Sequence, residues 1–257
     1  MCHGKPIIMS LKYMRYDTPD TGGEAQSMYW GGYGKDLTLP NYTKSAVVAN
    51  SEAEEESTES SSYYSDLPST KFSGVESKAA PKTKYNGSTP YCPSPYLWKD
   101  GKWNPNPAFY NCPATCAQTD RDGKGNSEVI LAQATAQADW KTASAITNNS
   151  GNGYYPAACC CYRYHNEGID HQGDWYLPAC GELCYIMPFF NEHNNAMTKI
   201  NSVVSSADVL LNTNGSHWSS SEYASLGARY VYSYSGRVGY GDKNFTTFVR
   251  AFRPVKI

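Results

Sequence analysis

Toward its C-terminus the chain changes from mixed periodicity to strict alternation. The stretch Arg229-Tyr230-Val231-Tyr232-Ser233-Tyr234-Ser235-Gly236-Arg237-Val238-Gly239-Tyr240-Gly241-Asp242 reads as a β-hairpin turning at Ser235-Gly236. Strand side chains point alternately to opposite faces, so Tyr230, Tyr232 and Tyr234 share one side, and Val231 and Ser233 take the other. The small or apolar set is the one expected to face the core, which leaves the tyrosines and Arg237 displayed.

Upstream, the pattern predicts a hairpin over 96–103, where aromatic residues flank Asp100-Gly101. Residues 128–131 read as a short strand. Ala136, Trp140, Ala143 and Ile146 recur at helical spacing, which predicts a helix over 132–147, ended by the turn residues of 148–153. A short apolar strand runs through Trp175-Tyr176-Leu177 into Pro178. A helix is expected to begin near Cys180, with Leu183, Ile186, Met187 and Phe190 inward and Pro188 as a kink point, and a second helix covers 195–205.

Composition then limits what the chain can do. Its net charge of −2 over 257 residues excludes the basic field that nucleic-acid binding requires. No apolar run is long enough to span a membrane. Pro6-Ile7-Ile8-Met9 is too short for the core of a signal peptide. The segment around 51–62 is acidic and serine-rich, so 45–90 reads as a linker or long loop. That divides the chain into an arm or small β-unit over 1–44, the linker, and a globular domain over 91–257. The nine cysteines are odd in number, and three are consecutive (Cys159, Cys160, Cys161). Their spacings lack the two-residue gaps of structural zinc, so buried free thiols are expected, with no metal and no cofactor.

The order of motifs carries a resemblance. Trp140 in a helix, then Asp174-Trp175-Tyr176-Leu177-Pro178, Gly181-Glu182-Leu183, Trp218-Ser219-Ser220-Ser221-Glu222 and Val249-Arg250-Ala251-Phe252 resemble the C-type-lectin-like variable proteins of diversity-generating retroelements, from bacteria and phages, together with related adhesin-like proteins. The resemblance covers roughly residues 92–257. It implies an α+β, C-type-lectin-like fold in which two helices pack on a small twisted antiparallel sheet. It also implies a non-enzymatic recognition protein whose C-terminal strands bind a protein or glycan receptor on another cell.

In the diversified members, template adenines are mutated, so Asn codons become codons of the form NNC. Such codons never give Lys, Glu, Gln, Met or Trp. Between Tyr223 and Thr247 only Lys243 belongs to that group, where composition alone predicts about four. The resemblance implies that the variable, ligand-contacting residues are Ala224, Leu226, Gly227, Arg229, Tyr230, Tyr232, Tyr234, Ser235, Arg237, Gly239, Tyr240, Gly241, Asp242, Phe245 and Thr246. The fixed frame would be Trp175, Trp218, Glu222, Val231, Gly236, Val238, Val249 and Arg250, with Glu222 and Arg250 as a candidate ion pair.

Three other functions compete. A formylglycine-generating enzyme of the same broad fold needs reactive cysteines in a cleft, yet the C-terminal strands hold none. A calcium-dependent lectin needs clustered oxygen ligands, and Asp242 is the lone acid after Glu222. A fixed-ligand adhesin or an appendage subunit would share the fold without the codon-biased variation. The expected setting is a phage tail or a cell surface, with a trimer or larger homo-oligomer supplying avidity.

Overall fold

In the computed structural model, residues 7–40, 96–99, 102–105, 120–165, 170–187, 190–203, 215–233 and 238–255 are described. The architecture mixes α and β, with small antiparallel sheets and few helices. The largest described sheet is built from β5 (Ser216–Glu222), β6 (Gly227–Tyr232) and β7 (Val238–Asp242), in that order. Smaller antiparallel pairs join β1 (Ile7–Met9) to β9 (Phe252–Pro254), and β2 (Met28–Tyr29) to β8 (Thr246–Thr247). The expected hairpin over 96–103 is present as β3 (Tyr96–Lys99) paired with β4 (Lys102–Pro105).

The terminal hairpin follows its alternation. Val231 pairs with Val238 across β6 and β7, and both are buried against Leu183, Met187, Cys180 and Phe252. This places helix α3 (Cys180–Ile186) beneath the sheet, starting where Pro178 ends the preceding segment. Its first turn is secured by Glu182, whose Oε2 accepts the Ala179 N–H at 2.8 Å. The following helix, α4 (Phe190–Asn201), lies earlier than the expected 195–205.

Three expected elements are corrected, of which the strand through Trp175-Tyr176-Leu177 is reduced to a single bridge from Tyr176 to Phe252. Residues 128–131 are not a strand but the end of helix α1 (Gly123–Ala132), capped by Asp122 Oδ1, which accepts the Gly125 N–H at 3.0 Å. The buried side of α1 is Gly123, Asn126, Ser127 and Ile130, a helical stripe made mostly of polar or small residues and therefore invisible to a hydrophobicity pattern. The helix expected over 132–147 is instead a series of turns. The Arg163 guanidinium, at the end of helix α2 (Pro156–Arg163), takes the carbonyls of Trp140 and Ala143 at 2.9 and 2.7 Å and binds Asp20 through two further hydrogen bonds at 2.7 Å. Those carbonyls serve a distant side chain in place of a helical ladder.

Helix α2 carries the triple cysteine. Pro156 occupies its first turn, where its missing N–H costs nothing. Ala157, Ala158, Cys159, Cys160 and Cys161 are all buried, so small side chains let the helix be enclosed by the core. These three thiols, with Cys180 and Cys184, are buried, and none of the five is in a disulfide. Burial pushes the Cys159, Cys160, Cys161 and Cys180 thiols well up from their ordinary range.

The N-terminal segment packs on the C-terminal strands. Ser10 N–H donates to the Ala251 carbonyl at 2.8 Å, and Met14 N–H to that of Val249 at 3.0 Å. The indoles of Trp30 and Trp218 are exchanged: Trp30 Nε1 donates to the Ser219 carbonyl at 2.7 Å, and Trp218 Nε1 to that of Met28 at 3.0 Å. Both rings are almost fully buried in the main core, with Tyr155, Ile146 and Val249. Large aromatic area is thereby removed from water while each indole N–H keeps a partner.

Candidate functional site

The candidate site is the outer end of the β6–β7 hairpin with the turns at 223–226 and 243–245. β5 beneath it is enclosed, for every residue from His217 to Glu222 is buried. The serines Ser219, Ser220 and Ser221 remain satisfied inside the core. Ser219 Oγ donates to the Arg229 carbonyl at 2.9 Å, and Ser221 Oγ donates to Asp120 Oδ2 at 2.5 Å. Ser220 N–H donates to the Pro178 carbonyl at 2.7 Å. The pairing between Trp218 and Glu222 is interrupted by a register shift at these serines.

The expected frame residues are interior. Trp175 packs edge-on against Tyr164 with ring centroids 5.1 Å apart, and Trp218, Glu222, Val249 and Arg250 are fully buried. The expected partner of Glu222 is corrected. Lys243 Nζ forms the buried ion pair with Glu222 Oε1, while Glu222 Oε2 accepts the Leu37 N–H at 2.9 Å. Lys243 also donates to the Lys35 carbonyl at 2.6 Å and lies 4.9 Å from the Trp30 ring centroid. The Arg250 guanidinium is turned to the N-terminal segment, donating to the Ser10 carbonyl at 2.9 Å and to that of Leu11, and covering the Tyr13 ring at 3.9 Å.

The expected contact residues divide. Tyr240 is 57% exposed, Phe245 56% and Leu226 47%, and Asp242 is also exposed. Ala224, Tyr230, Tyr232, Gly239, Gly241 and Thr246 are half-buried. Arg229 and Gly227 are not displayed. Arg229 is only 2% exposed, because its guanidinium lies 4.5 Å from the centroid of the Tyr223 ring. Gly227 is covered by that same ring, and a Cβ added there would lie 3.2 Å from Tyr223 Cδ1. Tyr234, Ser235, Gly236 and Arg237 lie outside the described residues.

Two aromatic arrangements order the surface. On one face of the hairpin, Tyr223 stacks on Tyr240 with centroids 4.3 Å apart and planes 28° apart. On the other, Tyr230 packs edge-on against both Trp218 and Tyr232, at 5.9 and 5.2 Å. Its ring lies across Gly239, where a Cβ would come within 2.4 Å of Tyr230 Cε2. Tyr223 was missed in the sequence because it follows the fixed block directly. Only the turn that closes through its N–H to the Gly227 carbonyl at 3.0 Å brings it over the strand.

Two buried carboxyls and one buried imidazole are shifted as well. Burial raises the Asp120 carboxyl to about 6 and the Glu182 carboxyl to about 8, and it lowers His217 to about 3 with help from the Arg250 charge. His217 Nδ1 lies 3.1 Å from Ser233 Oγ. Both residues are fully buried, so this pair faces no substrate and serves the core. Among the described residues, no group of three or more His, Cys, Asp or Glu side chains is placed to hold a metal ion. No helix among them is long and apolar enough to cross a membrane.

Comparisons with protein-family models, curated proteins and solved structures returned no match to this chain.

Proposed function

We propose that this chain is a non-enzymatic recognition protein with a C-type-lectin-like domain, whose outer hairpin binds a protein or glycan receptor and is diversified by a retroelement. The observation that carries the reading is the separation between surface and frame within one short stretch. Tyr240, Asp242, Phe245 and Leu226 are exposed, while Trp218, Glu222, Val249 and Arg250 are buried. Affinity at such a surface comes from a few aromatic anchors with few torsions to freeze.

Lys243 supports the diversification part of the reading. It is the one residue between Tyr223 and Thr247 that an NNC codon cannot give, and it is a fully buried member of the frame. The exception to the codon bias thus falls on a side chain whose replacement would leave Glu222 unpaired in the core. Helices α1 and α3 pack on β5 and β6, and this mixed α and β packing supports the reading.

A fixed-ligand adhesin or appendage subunit of the same fold is the second reading. It is favoured by the packing of Gly227, Arg229 and Gly239, which ties three of the proposed variable positions to particular neighbours. Deep sequencing of the gene's 3′ end and flanking DNA across a culture separates the two. Substitutions confined to codons such as those of Leu226, Tyr240 and Phe245, matching adenines in a nearby near-repeat, are the expected result. An invariant segment with no repeat nearby would assign the surface to one fixed partner.

A further inference from the structure

We propose that the corner formed by Tyr223, Tyr240 and Asp242 recognises a cationic group of the partner, an arginine guanidinium or an ammonium. The inference names the chemistry of the recognition surface proposed above and rests on that reading. Tyr240 and Asp242 are alternate residues of β7, so they point to the same face, and the register sets Asp242 directly opposite Gly227. Because Gly227 has no side chain, the Tyr223 ring occupies that space and stacks on Tyr240. The result is a pair of partly exposed aromatic rings (57% for Tyr240 and 36% for Tyr223) beside an exposed carboxylate.

The charge balance at this corner selects the guest. Among the described residues, its two cations are withdrawn from the surface: Arg229 is buried under Tyr223, and Lys243 is fully buried against Glu222. Asp242 has no side-chain hydrogen bond or ion pair among the described residues. Aromatic faces carry negative potential and attract cations, most effectively where a carboxylate stands beside them. An anionic guest would meet both the ring faces and the carboxylate unfavourably. A neutral sugar could stack on Tyr240 but would gain nothing from the uncompensated charge.

The test uses the purified full chain and two short capped peptides, one with two arginines and one with citrulline at the same positions, followed by NMR titration. The arginine peptide should shift the Tyr223, Tyr240 and Asp242 signals and bind at least about fivefold tighter than the citrulline peptide. Asp242→Asn and Tyr240→Ala should each remove most of that preference, and Tyr240→Phe should keep it because the ring quadrupole survives. Glu128→Gln, which removes one charge from an exposed position of α1, should leave it unchanged. Equal binding of the two peptides, no binding of either, or preferential binding of a neutral oligosaccharide that Asp242→Asn leaves intact would overturn the proposal. Peptide selectivity and codon variation are read separately, so loss of the first with the second present rejects the cationic guest alone.

Discussion

Lys243 and Glu222 are joined in a fully buried ion pair that ties the turn after β7 to the end of β5. The same two side chains reach the N-terminal segment, through the carbonyl of Lys35 and the N–H of Leu37. A charge stranded by loss of its partner at such a site costs about 3–5 kcal/mol, whereas removing both partners costs less. Urea denaturation should therefore show Lys243→Met and Glu222→Gln each strongly destabilising, and the double variant less so than the sum of the two. Additive losses would mean that the pair is not coupled.

Stability should fall as pH rises from 6.5 to 8. The Glu182 carboxyl is raised by burial to about 8 in the folded chain from an ordinary value of 4.5. The folded state thus holds a proton that the unfolded state has released, and its contribution, intact at low pH, is lost as pH climbs through about 8. Asp120 acts in the same direction but only up to about 6. His217 acts oppositely, because its folded value near 3 against 6.5 makes its contribution complete above 6.5 and lost as pH falls toward 3. Between 6.5 and 8, Glu182 alone of the three sets the slope. Thermal midpoints should fall across that window, and Glu182→Gln should flatten them; an equal slope in the variant would assign the effect elsewhere.

Gly239 and Tyr230 should behave as one unit. A methyl group at Gly239 collides with the Tyr230 ring and forces it from its edge contact with Trp218. Gly239→Ala is expected to cost about 1–3 kcal/mol, the usual penalty of overpacking. The same substitution in a Tyr230→Ala background should cost much less. A double-mutant cycle with no coupling would place the ring elsewhere.

The five buried thiols of α2 and α3 should resist alkylation in the native protein, since they are enclosed and burial holds Cys159, Cys160, Cys161 and Cys180 in the thiol form. Peptide mapping after iodoacetamide treatment should find Cys159, Cys160, Cys161, Cys180 and Cys184 unmodified, then labelled once urea unfolds the chain. Native labelling at the rate of a free cysteine would contradict their burial.

What could be read in the sequence follows from what each element buries. The β6–β7 hairpin was legible because Val231 and Val238 mark its inner face with period two, and the start of α3 because Pro178 stops the segment before it. Helix α1 was not, since its inner face is Gly, Asn and Ser with only Ile130 apolar, and burial of the polar ones is supported by hydrogen bonds such as that of Asn126 to Asp120 at 2.9 Å. The resemblance set Arg229 among the contact residues, and only the register that brings Tyr223 over it explains its burial. The Lys243–Glu222 pair was likewise hidden, for nothing local to either residue marks the other as its partner.

The pairing of β1 with β9 sets a schedule for the newborn chain. Ile7 meets Pro254 across that ladder, so the first strand cannot be seated until Pro254 has left the ribosome. At roughly 5–20 residues per second that is a delay on the order of tens of seconds. Throughout it, Met28 and Trp30 stand without the strands that cover them. Expression of this protein should therefore depend on how well the cell shelters residues 7–40, and substitutions that slow docking of β8 and β9 should lower yield before they alter the finished fold.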